Sequence, residues 1–520
     1  MNRGAVALTV VCLFGAANAL VAQEPPKAPP KERSGEAATT EAPVVPKPEQ
    51  SVTEHTIKVS GAPLKYKATA GTLLIRNDDD EPVAAIGYTA YTKDGAEASQ
   101  RPLTFAYNGG PGSSSIWLHM GALGPRRIVT TDAAPTPPPP YQVVDNQETV
   151  LDVTDLVMID PVGTGLSRAV GKAKNKDFWG VDQDIDSIAR FVVQYVNDNG
   201  RWNSPKYLLG ESYGTMRSAG LVDVLQSKWS MAFNGVVLVS VFIDAKADIT
   251  LAGNDLGYEM FVPSYAAIAW YHHLVKDAPP LDTFLAQARE FAAGPYAAAL
   301  AKGDALPDAE RKSVIASLSG LTGLSPSYLD KANLRVSEGE FTAELLREHA
   351  EIVGRLDARF TGVALDRLAQ ETPEDQDPQA TAISGAFTAA FLGYLHEELK
   401  FGAGKTYKIE ADLWRDWDWK HKPPGAHFPF PGAPNTGTDL AHAIAANPAL
   451  RVLVLNGYYD LATPFFGTEY TMEHLGLEKK LRANIEMKYF EAGHMMYLHP
   501  PSLAAFKAAV AGFIKATDRL

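Results

Sequence analysis

A serine with glycines two positions away on either side, Gly210-Glu211-Ser212-Tyr213-Gly214, follows the apolar run Lys206-Tyr207-Leu208-Leu209 and precedes a helical run from Thr215 to Gln226. A tight turn between strand and helix lifts such a hydroxyl above the sheet edge and aims the next backbone N–H at the same space. The alternative is a plain tight turn. A serine nucleophile needs a base, and the base needs an orienting acid. Asp460 stands just past the apolar run RVLVLNGYY, and His494 just past MKYFEAG. On a strand–turn–helix scaffold the expected order along the chain is serine, acid, histidine. Singly, Asp460 reads as a surface-turn residue and His494 as a core or capping histidine. Together, in this order, they read as acid and base. His499, before Pro500-Pro501, ranks below His494 as base. Glu469 and Glu491 rank below Asp460, and Glu491 is expected to face solvent or to tune the loop.

Acyl chemistry also needs donors for a developing oxyanion. Asn108-Gly109-Gly110-Pro111-Gly112-Ser113-Ser114-Ser115 follows the apolar run PLTFAY. Glycines there let backbone N–H groups approach a ligand. The N–H of Gly110 and that of Tyr213 are the expected pair. A flexible Gly/Ser loop is the plain alternative; a phosphate loop is unlike this segment, because no lysine follows the glycines. Asp160-Pro161-Val162-Gly163-Thr164-Gly165 reads as a structural turn beneath the site. The pair His272-His273 reads as an exposed helical pair and His119 as a helix residue, so neither a metal nor another cofactor is expected.

These loops need a frame. PLTFAY, DLVMIDP, KYLLGES, GVVLVSVFI and RVLVLNG are apolar throughout, and a helical pattern over VDQDIDSIARFVVQYVND separates two of them. Such strands, alternating with helices, predict an α/β fold with a mostly parallel central sheet flanked by helices. Residues 51 to about 91 instead alternate apolar and polar side chains, which predicts antiparallel strands with turns at Gly61, Gly71 and Asn77–Asp80. The core is expected over 51–250 and again over 440–520. Between them, 251–439 reads as a mainly helical insertion capping the sheet; SYAAIAWYHHLV, LDTFLAQAREFAAG, FTAELLREHAEIVG and ISGAFTAAFLGYLHEEL all repeat apolar positions at helical spacing.

The chain has 520 residues and a formal net charge of −13. That balance offers no basic excess for nucleic acid or for an anionic membrane. Residues 1–22 look like a signal peptide for export to a periplasmic or extracellular compartment, with small-residue cleavage sites at Ala19 and Ala22. Residues 23–50, rich in Pro, Glu, Lys and Ala, read as a disordered linker. Cys12 is the only cysteine, so after cleavage the chain holds no disulfide, thiol nucleophile or cysteine metal ligand.

The segments NGGPGSSS, DPVGTGLS, GESYGTMRSAGL, NGYYDLATP and AGHMMYLHPP, in this order, resemble the serine carboxypeptidases. The resemblance implies the α/β-hydrolase fold with a helical insertion, and removal of single residues from a peptide with a free C-terminus. By it, Ser212, Asp460 and His494 match the triad, and Gly110 and Tyr213 the oxyanion donors. Asn108 and Glu211 match residues that bind the substrate's terminal carboxylate, and Met495 a methionine lining the site. One position departs: two residues before the asparagine the family usually carries a tryptophan that also contacts that carboxylate, and this chain has Ala106. An esterase or acyltransferase on the same scaffold is therefore the alternative. Glu211 supplies a test, because two carboxylates in contact must share a proton. Peptide hydrolysis is then expected to peak at acidic pH, with ester or amide hydrolysis extending higher.

Overall fold

A computed structural model describes residues 45–429 and 432–519. The expected signal peptide and most of the expected linker lie outside them. The linker's last residues do not behave as expected: the backbone of Glu49 is hydrogen-bonded to Thr72 through both its N–H and its carbonyl, and Gln50 already begins a strand.

The strands that build the frame are β1 (Gln50–Val59), β2 (Ala62–Arg76), β3 (Pro82–Lys93), β4 (Leu103–Tyr107), β5 (Asp155–Ile159), β6 (Lys206–Ser212), β7 (Gly235–Val241), β8 (Arg451–Gly457) and β9 (Ile485–Phe490). With the short strand Arg168–Ala169 on β3, they form one ten-stranded sheet in the order β1-β2-β3-β5-β4-β6-β7-β8-β9. The first three pair antiparallel, β3 meets β5 antiparallel, and every pairing from β5 to β9 is parallel. Burial follows the sequence pattern. β1 alternates exposed and covered residues, whereas β4, β5 and β7 are buried throughout. Successive residues of the central strands enter opposite cores, with Ala106, Met158, Leu209 and Leu455 on one face and Phe105, Val157, Leu208 and Val454 on the other. Both faces of the parallel part are therefore covered, as a sheet flanked by helices requires. This order, with crossover helices, is the α/β-hydrolase fold.

Gly71 is no turn. It lies inside β2, opposite Gln50 on one side and Tyr88 on the other. A Cβ there would stand 2.8 Å from the Glu49 carbonyl oxygen, so this glycine admits the close approach of the entering chain.

Helix α1 (Val181–Asp198) and helix α2 (Tyr213–Ser227) pack on one another beside the sheet. Between β7 and β8 come α3 (Asp255–Tyr271), α4 (Leu281–Phe291), α5 (Asp308–Thr322), α6 (Pro378–Gly393) and α7 (Gly437–Ala446). The helical reading of FTAELLREHAEIVG fails in its second half. A helix covers only Glu338–Glu344, and Glu351–Val353 is a strand paired with Thr361–Val363. The helix stops at Glu344, a 3-10 turn follows at Arg347–His349, and Ala350 closes that turn at φ +60° and leads the chain into the strand, which the β-branched pair Ile352-Val353 favours. The two histidines are not an exposed helical pair either. His272 follows the last turn of α3 and is half-buried, with its Nε2 2.7 Å from the Ala358 carbonyl oxygen. The described residues of 399–436 form a strap without long helices that touches the core by isolated bridges at Ser113, Gly165, Gly180 and Asp244.

Candidate active site

Ser212 ends β6 and begins α2 at φ +59°, ψ −132°, a strained backbone that a β-strand or helix interior would not hold. Its neighbours explain the glycines. A Cβ on Gly210 would collide with the Gly214 carbonyl, and one on Gly109 would stand 2.5 Å from Tyr213 N. The second contact brings the Asn108–Gly112 loop against the backbone of the elbow, with Gly110 at φ +102°. Ser212 makes no capping bond to its own helix. Thr215 instead ties the elbow to the chain after β7: its Oγ1 donates to the Ser212 carbonyl at 2.7 Å and accepts from Phe242 N at 2.8 Å.

The loops after β8 and β9 bring Asp460 and His494 together. Asp460 is fully buried. Its Oδ1 accepts from the backbone of Ala462 and Thr463 at 2.7 and 3.1 Å, and its Oδ2 from Thr463 Oγ1 at 2.7 Å. Oδ2 also lies 2.8 Å from His494 Nδ1. An ionised carboxylate is acceptor-only, so Nδ1 carries the proton and Nε2 is left to accept one. Burial lowers the pKa of His494, but the charge and hydrogen bond of Asp460, with the charge of Glu211, outweigh it and the net direction is up. The His494 carbonyl accepts from Ser240 Oγ at 2.6 Å, one residue before the β7 residue that pairs with Ser212. Among the described residues no hydrogen bond joins Ser212 Oγ to His494. In resting sites such bonds are often long and tighten when substrate arrives.

Beside the elbow, Asn108 Nδ2 donates to Glu211 Oε1 at 2.7 Å, and Asn108 Oδ1 accepts from Leu118 N at 3.0 Å. Both side chains are buried. Glu211 Oε2 and the hydroxyl of Tyr497 are buried; neither makes a hydrogen bond of ordinary geometry, yet each shifts the titration of the other. Burial pushes Glu211 up to about 7, although His494, Tyr497 and Asn108 hold it down in part. Met495 and Tyr497 belong to the same apolar cluster as Ala106, which is itself fully buried.

The rival residues are engaged elsewhere. Glu469 is paired with Arg289 at 2.7 Å, Glu491 is exposed, and His499 Nδ1 lies 2.9 Å from Ser502 Oγ at the start of the last helix. Among the described residues no cluster of three or more His, Cys, Asp or Glu is arranged for a metal ion.

Other residues hold the site through long-range contacts, among them Asp160 of the turn expected beneath it. Arg217, fully buried on α2, donates to the Asn108 carbonyl at 2.9 Å and to Asp184 on α1 at 2.7 Å. Asp160 lies under the glycine loop, accepting from Ser115 N at 3.0 Å and Tyr407 Oη at 2.8 Å. Burial pushes it up to about 6, offset in part by those two bonds. The strap adds Trp417 and Trp419, whose rings meet that of Tyr213 edge-on at 5.3 and 6.0 Å, while Ala411 N donates to the Gly112 carbonyl at 2.9 Å. One strap thus braces both backbone segments expected to bind an oxyanion. The sequence could not show these contacts, because the partners are 30 to 300 positions apart in the chain.

The arrangement can polarise a serine hydroxyl, hold an imidazole in one tautomer and keep a protonated carboxyl beside the reacting centre. The family model described as serine carboxypeptidase matches residues 73–282, which include Asn108, Gly110, Glu211, Ser212 and Tyr213. No curated protein matches the chain. Among solved structures, a proline iminopeptidase of Mycobacterium smegmatis is similar at 16% identity and TM-score 0.35, over 86% of this chain and 98% of that one. A lipase in open form is similar at 13% identity and TM-score 0.37, over 86% and 98%. A thioesterase domain from the curacin biosynthetic pathway is similar at 10% identity and TM-score 0.31, over 90% and 99%. The chain is a serine hydrolase of the α/β-hydrolase fold whose residues 73–282 match the serine carboxypeptidase family.

Proposed function

We propose that the protein is a serine-type carboxypeptidase acting on peptides with a free C-terminus. The observation that carries this reading is the buried Asn108–Glu211 hydrogen bond beside Ser212, in which burial pushes Glu211 up to about 7. A neutral carboxyl and an amide can together donate to a substrate carboxylate; an ionised Glu211 would repel it.

In this reading Ser212 Oγ attacks the carbonyl of the last peptide bond while His494 Nε2 takes its proton. The N–H groups of Gly110 and Tyr213 receive the charge on the carbonyl oxygen. His494 then gives its proton to the departing amine, and the C–N bond breaks to leave an ester on Ser212. Water attacks that ester, His494 takes the water's proton and returns it to Ser212 Oγ, and the shortened peptide leaves. Asp460 holds the imidazole throughout. Met495 helps wall the site. Export by residues 1–22 belongs to the same proposal and would place the enzyme among peptides outside the cytoplasm.

The test is to digest a peptide and its C-terminal amide in parallel and read the products by mass. Stepwise shortening of the free acid from its C-terminus, much slower for the amide, supports the reading. Internal cleavage, or equal rates on acid and amide, would reject it. Ala106 favours one second reading, an esterase or acyltransferase, because the indole usual at that position is absent. Rapid turnover of p-nitrophenyl esters with no peptide shortening at any pH from 4 to 8 would favour it. Ser212→Ala should abolish fluorophosphonate labelling under either.

A further inference from the structure

The helical insertion reaches into the space between the two loops that carry the proposed acid and base. Residues 354–360, Gly-Arg-Leu-Asp-Ala-Arg-Phe, run between them and bond to both. On the acid side, Leu461 N donates to the Arg355 carbonyl at 2.9 Å and Ala358 N to the Tyr459 carbonyl at 3.0 Å. Asp460 is thus bracketed by two bonds to the wedge. On the base side, His494 N donates to the Leu356 carbonyl at 2.6 Å, and Gly493 N to Asp357 Oδ2 at 3.1 Å. The fit is close: a Cβ on Gly493 would stand 2.5 Å from Asp357 Cα.

Asp357 differs from the other contacts because a side chain, not the backbone, makes its bond. It is 1% exposed. Arg359, also buried, holds it from the other side, with Nη2 2.7 Å from Oδ2 and Nε 3.0 Å from Oδ1. The carboxylate is therefore fixed before it receives the Gly493 N–H, and the peptide it holds is the one that sets where the His494 ring starts. A histidine that must lie within hydrogen-bond reach of both an acid and a nucleophile tolerates little drift, since a displacement of about 1 Å can reduce rate about a hundredfold.

We infer that Asp357, clamped by Arg359, is a positioning residue for His494, and that the insertion is a structural part of the active site rather than a cover over it. This rests on His494 being the base. Asp357 touches no reacting atom; it acts by fixing the Gly493–His494 peptide.

The test compares wild type, Asp357→Ala, Asp357→Asn and His494→Ala on a p-nitrophenyl ester and on fluorophosphonate inactivation, with folding checked by circular dichroism and thermal melting. Asp357→Ala should lower kcat at least tenfold with KM within twofold, and slow inactivation by a similar factor. Asp357→Asn keeps an oxygen that can accept the Gly493 N–H, so it should recover most of that loss. A folded Asp357→Ala with wild-type kcat, a loss confined to KM, or an Asp357→Asn no better than Asp357→Ala overturns the inference. Should Asp357→Ala not fold, Arg359→Gln, which releases the clamp on the Asp357 carboxylate, decides instead: a reduced kcat at unchanged KM supports the inference and an unchanged kcat overturns it. His494→Ala separates the two levels. If it still labels at the wild-type rate, the assignment of the base is wrong. If it does not label but the Asp357 variants do so normally, only the positioning role fails.

Discussion

The proton on Glu211 gives the sharpest consequence of the proposed carboxylate site. Burial pushes this group up to about 7, with His494, Tyr497 and Asn108 pulling down and Asp460 pushing up. A substrate carboxylate is ionised at every pH above about 4.5, so binding needs the protonated form of Glu211. That form is about 99% populated at pH 5, about 9% at pH 8 and about 1% at pH 9 for a group titrating near 7. His494 titrates too, and its neutral fraction grows with pH, but that factor is shared by every substrate. The measurement is therefore a ratio: kcat/KM for a free-acid peptide divided by kcat/KM for its C-terminal amide, from pH 5 to 9. It should be constant at acidic pH and fall about tenfold per unit above 7, to about one hundredth of its acid value at pH 9. Glu211→Gln cannot ionise, so its ratio should stay level across the range. A wild-type ratio constant within twofold from pH 5 to 9 would refute the carboxylate role of Glu211, and with it the observation on which the carboxypeptidase reading stands.

The same burial has a consequence for stability. Folded Glu211 keeps its proton to about 7 while the unfolded chain releases it near 4.5, so the folded state binds more protons in that window and stability falls as pH rises through it. Glu211→Gln should then stabilise the protein at pH 8, by at most about 3 kcal/mol, and hardly at pH 4, as read by urea unfolding. His421 bridges Asp182 on α1 at 2.6 Å and Asp439 on α7 at 2.9 Å. Burial lowers its pKa, but the hydrogen bonds and charges of the two carboxylates outweigh this and raise it to about 9. Its stabilisation is complete below about 6.5 and lost as pH passes 9; the whole effect is at most about 3 kcal/mol, because burial of Asp439 offsets part of it. Melting temperature should drop between pH 7 and 10 in wild type and show a shallower drop in His421→Leu. Arg217→Leu strips the buried Asp184 of its partner and should destabilise by about 3–5 kcal/mol; it also frees the Asn108 carbonyl, so surviving folded enzyme should lose preference for free-acid peptides over amides.

Legibility in the sequence followed the reach of each interaction. The central strands could be read because β4, β5 and β7, buried at every position, are apolar at nearly all of them, a pattern that burial on both faces imposes. The elbow could be read because its constraint is local: Gly210 and Gly214 crowd each other four residues apart. Gly71 misled for a related reason. A glycine in an alternating segment suggests a turn, yet here it admits Glu49, a contact 22 residues away that no local pattern announces. The end of FTAELLREHAEIVG misled because apolar spacing fits a helix while the left-handed Ala350 and the pairing with 361–363 decide otherwise.

The hidden part of the site has a common physical character. Arg217 reaches Asn108 across 109 positions, Gly493 reaches Asp357 across 136, and the strap tryptophans reach Tyr213 across about two hundred. None of these contacts changes the periodicity or composition of its own segment, so each is invisible until the chain is folded. In the proposed mechanism they fix the parts for which placement matters most, the oxyanion backbone and the imidazole. The residues proposed to do chemistry lie in short-range motifs; the residues that hold them in register come from distant segments, the insertion among them. A truncation that removed 354–360 while sparing Ser212, Asp460 and His494 would therefore keep every motif and lose most of the activity, which separates a site that is present from one that is held.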